Sequence, residues 1–256
     1  MTPEENIRTG EKIALSLMYD GSHFCGWQVQ KNARSVQGTL QDALEKVLGF
    51  RPDVCGCSRT DSGVHANNYV CHILRENVKP HKDRLVMALN AHLRDSGLAV
   101  TSAGYRDADF HARYSCTGKE YIYKIWNEKY MNPHLTGKAM FYPRDIDIDA
   151  LSYVSDEFRG THDFRSFMTK GSKNEDNTVR TVKYFNVEKQ DGLITISVCA
   201  DGFLYNMVRI MVGTYLDLAR KKAPAGSLSL IIDGKNRSLA GDTAPAEGLY
   251  LNKIFY

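Results

Sequence analysis

The chain has 256 residues, and its 33 lysines and arginines stand against 30 aspartates and glutamates, a formal net charge of +3. That near-balance excludes an indiscriminate coater of polyanions while leaving room for a localised basic face. With 43% hydrophobic and 25% charged residues, the composition is that of a folded globular protein rather than a disordered one.

Six scattered cysteines (Cys25, Cys55, Cys57, Cys71, Cys116 and Cys199) do not make a disulfide framework in a chain of this length. Met1 to Gly10 is polar with no apolar leader, and no stretch approaches the length of a membrane span. A reducing, cytoplasmic setting is expected. Cys55-Gly-Cys57 followed by Cys71-His72 fits no familiar two-plus-two metal-ligand spacing, so no metal site is expected.

In chain order, Lys12 to Tyr19 alternates apolar and polar residues and reads as a strand ending at Asp20-Gly21. Ser35 caps a helix with Val36, Leu40, Ala43, Leu44, Val47 and Leu48 on one stripe and Gly49 as its stop. Asp53 to Ser58 and Asn68 to Arg75 read as strands. Asp83 to Leu93 reads as a helix, with Leu85, Ala88, Leu89, His92 and Leu93 inward, and Leu98 to Tyr105 as a strand. The order β-α-β-β-α-β is the ferredoxin-like split unit. The second half repeats it: a strand over Lys119 to Asn127 and a helix over Ile148 to Phe158 come first. Strands over Thr181 to Lys189 and Leu193 to Ala200 flank the hairpin signal Gln190-Asp191-Gly192. A long apolar helix over Phe203 to Lys221, a shorter one around Leu228 to Ile232 and a last strand over Leu249 to Phe255 complete it. The fold class expected is α+β with two domains, 1–108 and 109–256, joined near Asp107 to Arg113. Lys170 to Arg180 reads as an exposed, mobile loop, and Arg220-Lys221-Lys222 as cations closing a helix or touching phosphate.

Three clusters could carry chemistry. Cys57-Ser-Arg-Thr-Asp-Ser-Gly-Val-His65 lies between two strands, where rigid scaffolds display reactive groups, yet Asp61 before Ser62-Gly63 also suits a plain turn. His65 is a base or an ordinary satisfied histidine. Phe110-His-Ala-Arg-Tyr114 leads to Tyr121-Ile-Tyr123, a tyrosine stripe that serves either packing or base stacking. Arg209 sits among Met207, Val208, Ile210, Met211 and Val212, so its guanidinium needs an anionic partner, with Asp61 the candidate.

Ser58-Arg-Thr-Asp-Ser-Gly-Val-His-Ala66 resembles the catalytic signature of the TruA family of tRNA pseudouridine synthases, and further motifs agree in order. These are Tyr19-Asp-Gly-Ser, Gly26-Trp-Gln, Ser35-Val-Gln, Phe110-His-Ala-Arg, Gly160-Thr-His-Asp-Phe164, Met207-Val-Arg-Ile-Met-Val-Gly213 and Ala244-Pro-Ala-Glu-Gly-Leu249. Three features depart from the family pattern: Ser58 in place of a glycine, Lys119-Glu120 where arginine is frequent, and Asn90 to Ser96 in place of a Leu-Pro-x-Asp-Ile run. None touches the aspartate.

The resemblance implies two ferredoxin-like halves whose mostly antiparallel sheets form a continuous mixed sheet with a central active-site cleft. It implies an isomerase that converts uridine to pseudouridine in the anticodon stem-loop of tRNA, at tRNA positions 38 to 40, with no cofactor and no metal. Asp61 would be the essential carboxylate, as nucleophile or base. Tyr121 would stack on the target base, and Arg209 would pair with Asp61. Arg59, Thr60, His65 and Arg113, with Tyr121, would bind the substrate after the base is flipped out of its helix. A homodimer acting on tRNA is implied, with no membrane and no small-molecule partner. The competing class is a non-catalytic RNA-binding protein on the same fold.

Overall fold

The computed structural model describes residues 10–169 and 176–256. Contacts divide the chain into two units of mixed α and β structure. One comprises the described residues up to Thr117 with Leu251–Tyr256, and the other runs from Gly118 to Tyr250. The first unit thus extends past the join read near Asp107 to Arg113 and takes back the end of the last strand.

In the first unit, β1 (Lys12–Tyr19) lies between β3 (His65–Leu74) and β4 (Leu98–Arg106), antiparallel to both. Leu15 faces Cys71 on one side and Ala103 on the other. The two-residue β2 (Cys55–Gly56) pairs with β3, setting Cys55 opposite His72. The C-terminal part of β10 (Leu249–Phe255) lies on the other side of β3, where Asn67 Nδ2 donates to Asn252 Oδ1 at 2.8 Å. Helix α1 (Val36–Leu48) starts where Ser35 Oγ accepts the Gly38 amide at 3.1 Å and ends at Gly49, φ +81°. It buries Val36, Leu40, Ala43 and Leu44. Helix α2 (Lys82–Leu93) buries Leu85, Leu89 and Leu93 but leaves His92 exposed. Its stripe is the narrow i, i+4, i+8 row, and the polar His92 stays in water rather than lose its hydration.

In the second unit, β5 (Gly118–Trp126), β9 (Leu193–Ala200), β8 (Val179–Gln190) and β7 (Gly160–Asp163) pair antiparallel in that order. The short β6 (Met140–Phe141) adds parallel to β5. Asp191 and Gly192, at φ +48° and +79°, make the hairpin between β8 and β9 with both central residues at positive φ. Helix α3 (Ser152–Phe158) is shorter than its apolar pattern suggests, because Ile148 to Leu151 form turns in which Asp147 Oδ1 accepts the Ala150 amide. Helix α4 (Met207–Lys221) starts four residues after Phe203, since Asn206 at φ +61° breaks the helical path. Helix α5 (Ser227–Asp233) follows. Phe158, Phe164, Phe167, Phe185 and Tyr215 form the aromatic part of this core. Of the Lys170 to Arg180 segment, 170–175 lie outside the described residues, while Val179 and Arg180 open β8.

Candidate active site

Four neighbours hold the polar loop Cys57 to His65. The Cys57 amide donates to Val70 O at 2.9 Å, and the Tyr69 hydroxyl donates to Ser58 O at 2.5 Å. The Trp27 amide donates to Thr60 O at 3.1 Å, and Thr60 Oγ1 lies 2.8 Å from the Tyr19 hydroxyl. Trp27 stacks on Tyr69 with ring centroids 4.1 Å apart. This packing leaves no room at Gly56, where a Cβ would lie 2.0 Å from the Tyr69 hydroxyl. Asp61 then opens a turn: the Val64 amide returns to Asp61 O at 3.2 Å, with Gly63 at φ +79° in the position that favours glycine. The turn reading of Asp61 is therefore correct for its backbone, and it leaves the half-buried carboxylate on a loop fixed on both sides.

Other residues of the motif have different environments. Arg59 is exposed, whereas the Thr60 side chain is 7% exposed and turned toward Tyr19. His65 is 2% exposed, and its Nδ1 accepts the Gly21 amide at 3.0 Å while Asp20 Oδ1 approaches to 3.2 Å. Burial pushes the Asp20 carboxyl up, but the hydroxyl and amide of Ser22 outweigh it and hold the group below its ordinary value. His65 thus ties the start of β3 to the turn after β1.

Tyr121 lies on β5, 7% exposed, with Phe203 edge-on at 5.1 Å. Arg209, on α4, is half-buried. Its Nε donates to Ala244 O at 2.6 Å and Nη1 to Asn206 Oδ1 at 2.9 Å, while Arg209 O accepts the Ala244 amide at 3.1 Å. The side chain thus links the start of α4 to the Ala244-Pro245 segment. Tyr123 donates to Pro245 O at 2.7 Å, and burial raises its pKa against a lowering pull from Arg209. The tyrosine stripe of β5 therefore divides, with Tyr123 wholly buried.

One cluster was not expected from the spacing of the cysteines. Cys55, His72 and His111 bring their ligand atoms within 4.8 Å of one another, with Cys55 Sγ 3.3 Å from His111 Nε2. The hydrogen bonds fix both tautomers. His72 Nδ1 accepts the Ala112 amide at 3.1 Å, and His111 Nδ1 accepts the amides of Arg113 and Tyr114 at 3.1 and 3.2 Å. Each Nε2 therefore carries the proton, and His111 offers Cys55 a donor rather than a lone pair. Lys12 and Arg113, both cations, are the charged side chains acting on Cys55. The chemistry of this set does not fit a divalent ion.

Among the described residues, no helix is long and apolar enough to cross a membrane. Of the supporting positions Tyr19, Trp27 and Tyr69, the first two lie in motifs that carry the resemblance, while Tyr69 carried no signal of its own. Gly26 did, as the glycine that must accept φ +93° beside Thr60.

A family model described as tRNA pseudouridine synthase matches residues 15–115 and 154–256. The chain is 38% identical to tRNA pseudouridine synthase A of Acetivibrio thermocellus over 95% of its own length and 99% of that protein. It is 39% identical to the protein of that name from Ruminiclostridium cellulolyticum, over 96% and 99% of the two chains. The corresponding figures for Thermoanaerobacter pseudethanolicus are 40%, 95% and 99%. Among solved structures, a chain of a Cbf5–Nop10–Gar1 complex is similar with a TM-score of 0.37 and 10% identity, over 93% of this chain and 57% of that one. The chain belongs to the tRNA pseudouridine synthase A family, a family of isomerases.

Proposed function

We propose that this protein converts uridine to pseudouridine in the anticodon stem-loop of tRNA, at tRNA positions 38 to 40, with Asp61 as the essential carboxylate. The observation that carries the reading is the setting of Asp61. It is a half-buried acid on a loop pinned through Ser58, Thr60 and Val64, inside the stretch that the family model matches. A carboxylate facing polyanionic RNA disfavours binding, and its rigid mounting suits chemistry instead.

In the reaction the C1′–N1 bond breaks, the base turns, and C1′–C5 forms. The proton lost from C5 is balanced by one gained at N1, so nothing is oxidised and nothing leaves the polymer. Asp61 assists by attack on the sugar or by removing a proton from it, splitting one hard step into two easier ones. Tyr121 stacks on the flipped base, and Arg209 pairs with Asp61 to keep it oriented. Arg59 helps hold the place of the extruded nucleotide, and Arg113 binds the substrate elsewhere. Thr60 and His65 act from behind, since their side chains are spent on Tyr19 and Gly21. The same reading makes the protein a cytoplasmic homodimer that recognises A-form shape and phosphates.

Tritium release from C5-labelled uridine in tRNA tests the assignment. Wild type releases it, and Asp61→Asn loses at least about 10²–10⁴ in rate, the range for a positioned acid–base group, while still binding tRNA. Binding without release by wild type would instead make the chain a pure RNA binder.

A further inference from the structure

We infer that Tyr114 is a stacking platform for an unpaired base of the RNA substrate, with Arg113 taking an adjacent phosphate. The inference rests on the reading of the substrate as RNA, and it adds a contact separate from the flipped uridine at Asp61.

The first observation is rigidity without regular structure. Lys12 Nζ donates to Phe110 O at 2.7 Å and the Tyr256 hydroxyl to Ala112 O at 2.8 Å. The Ala112 amide is held by His72, and the amides of Arg113 and Tyr114 both end on His111 Nδ1. His111 and Ser115 exchange two bonds of 2.9 Å, His111 amide to Ser115 Oγ and Ser115 amide to His111 O. Every amide from His111 to Ser115 is therefore partnered, and the turn has little freedom left to lose on binding.

The second observation is what this fixed turn displays. Tyr114 is 77% exposed as a residue, although its ring lies against the His111 ring at 4.3 Å and an interplanar angle of 33°, with the Arg113 guanidinium 5.7 Å from its centroid. Its partners in the fold are the His111 ring and the Arg113 side chain, and most of its surface is left to solvent. A braced π-face is what a nucleobase stacks on, whatever its identity.

The third observation is charge. The ionic side chains that act on His111 are Lys12 and Arg113, and both are cations. The exposed acids Asp107 and Asp109 precede the turn in sequence. Cations beside an exposed π-face suit a base together with its phosphate, rather than the apolar side chain of a protein partner.

Titration of a labelled anticodon stem-loop RNA tests the inference by binding alone. Tyr114→Ala weakens binding by about tenfold, within what one stacked base contributes, with the salt slope unchanged. Tyr114→Phe and Tyr114→Trp bind like wild type, and Tyr114→Leu is as weak as the alanine variant. Arg113→Gln makes the salt slope shallower by about one. A single abasic nucleotide in the loop reproduces the alanine loss, and the two losses do not add. Alanine binding as well as tyrosine, leucine matching phenylalanine, or additive losses at every loop position would each overturn the platform. RNA that binds in this Tyr114-dependent way but is never isomerised would overturn the proposed reaction and leave the platform standing.

Discussion

Gly26 lies so close to Thr60 that a Cβ built on it would stand 2.8 Å from the Thr60 carbonyl oxygen, at a backbone φ of +93°. The contact is backbone to backbone, so no flexible side chain can yield. Any L-residue at position 26 therefore pushes on the residue before Asp61 while also adopting a strained conformation. Gly26→Ala is expected to cost about 1–3 kcal/mol for the backbone strain alone, read by urea denaturation. It should lower pseudouridine formation by more than it weakens tRNA binding, because the displaced group is the Asp61 loop. Equal losses in both would separate Gly26 from the chemistry.

Tyr19 and Thr60 share a buried hydrogen bond of 2.8 Å, with the two residues 3% and 7% exposed. Removing either partner takes this buried hydrogen bond from the other hydroxyl. Tyr19→Phe and Thr60→Val should each destabilise by about 1–3 kcal/mol. The double variant should cost clearly less than the sum of the two, since both single variants lose the same bond. Additive unfolding free energies would show that the hydroxyls do not depend on each other. Turnover by Tyr19→Phe should fall with loop order, while the salt dependence of tRNA binding stays as in wild type.

Three strands were legible to their ends, whereas Asp53 to Ser58 keeps only the two residues of β2, and β6 and β7 were not read. Lys12–Tyr19, Leu193–Ala200 and Leu249–Phe255 end where the alternation of their residues ends. Helix starts were less legible, because the apolar stripe of α4 continues back to Phe203 and only the left-handed Asn206 interrupts it. At the site, the Asp61 motif was readable because it is contiguous in sequence. That Tyr19, Trp27 and Tyr69 join into one brace was not, since they come from three separate elements, although Tyr19 and Trp27 lie in motifs of the resemblance. The cysteines show the same limit. Cys57 and Cys71 drew attention with Cys55 and His72, yet both are fully buried. The real cluster needs the β2–β3 register, which sets Cys55 opposite His72, and a turn far downstream that delivers His111.

Gly213 marks where the second unit has no slack. A Cβ on this helical residue would lie 1.7 Å from Asp242 O, and one on Gly241 would lie 2.5 Å from Gly213 O. Two backbone segments touch there, just before the Ala244 carbonyl that Arg209 Nε engages. Overpacking of this kind costs typically about 1–3 kcal/mol and more when backbone must move. Gly213→Ala is expected to reach or exceed that range in thermal or urea unfolding. Gly137→Ala is a control for cavity space, as nothing lies within 4 Å of its added Cβ, although its φ of +70° retains a modest strain cost. Equal stability losses in the two variants would show that the helix has room to shift.

His72 makes stability depend on pH in a window set by its own surroundings. The residue is 7% exposed, and burial, followed by His111 and Lys12, holds its pKa down to about 4 from the ordinary 6.5. Its Nδ1 accepts the Ala112 amide, so a proton arriving there would set donor against donor. Below pH 6.5 the unfolded chain takes up a proton that the folded chain refuses until about pH 4. Stability is therefore full above the upper value and falls as pH drops through the window, reaching a loss of roughly 3 kcal/mol from this group below it. His72→Gln can still accept the Ala112 amide and does not titrate. Urea denaturation at about pH 7 and about pH 4.5 should show wild type losing on the order of 2 kcal/mol more than the glutamine variant between the two. Parallel losses in both proteins would mean that His72 charges in the folded state as readily as in the unfolded one.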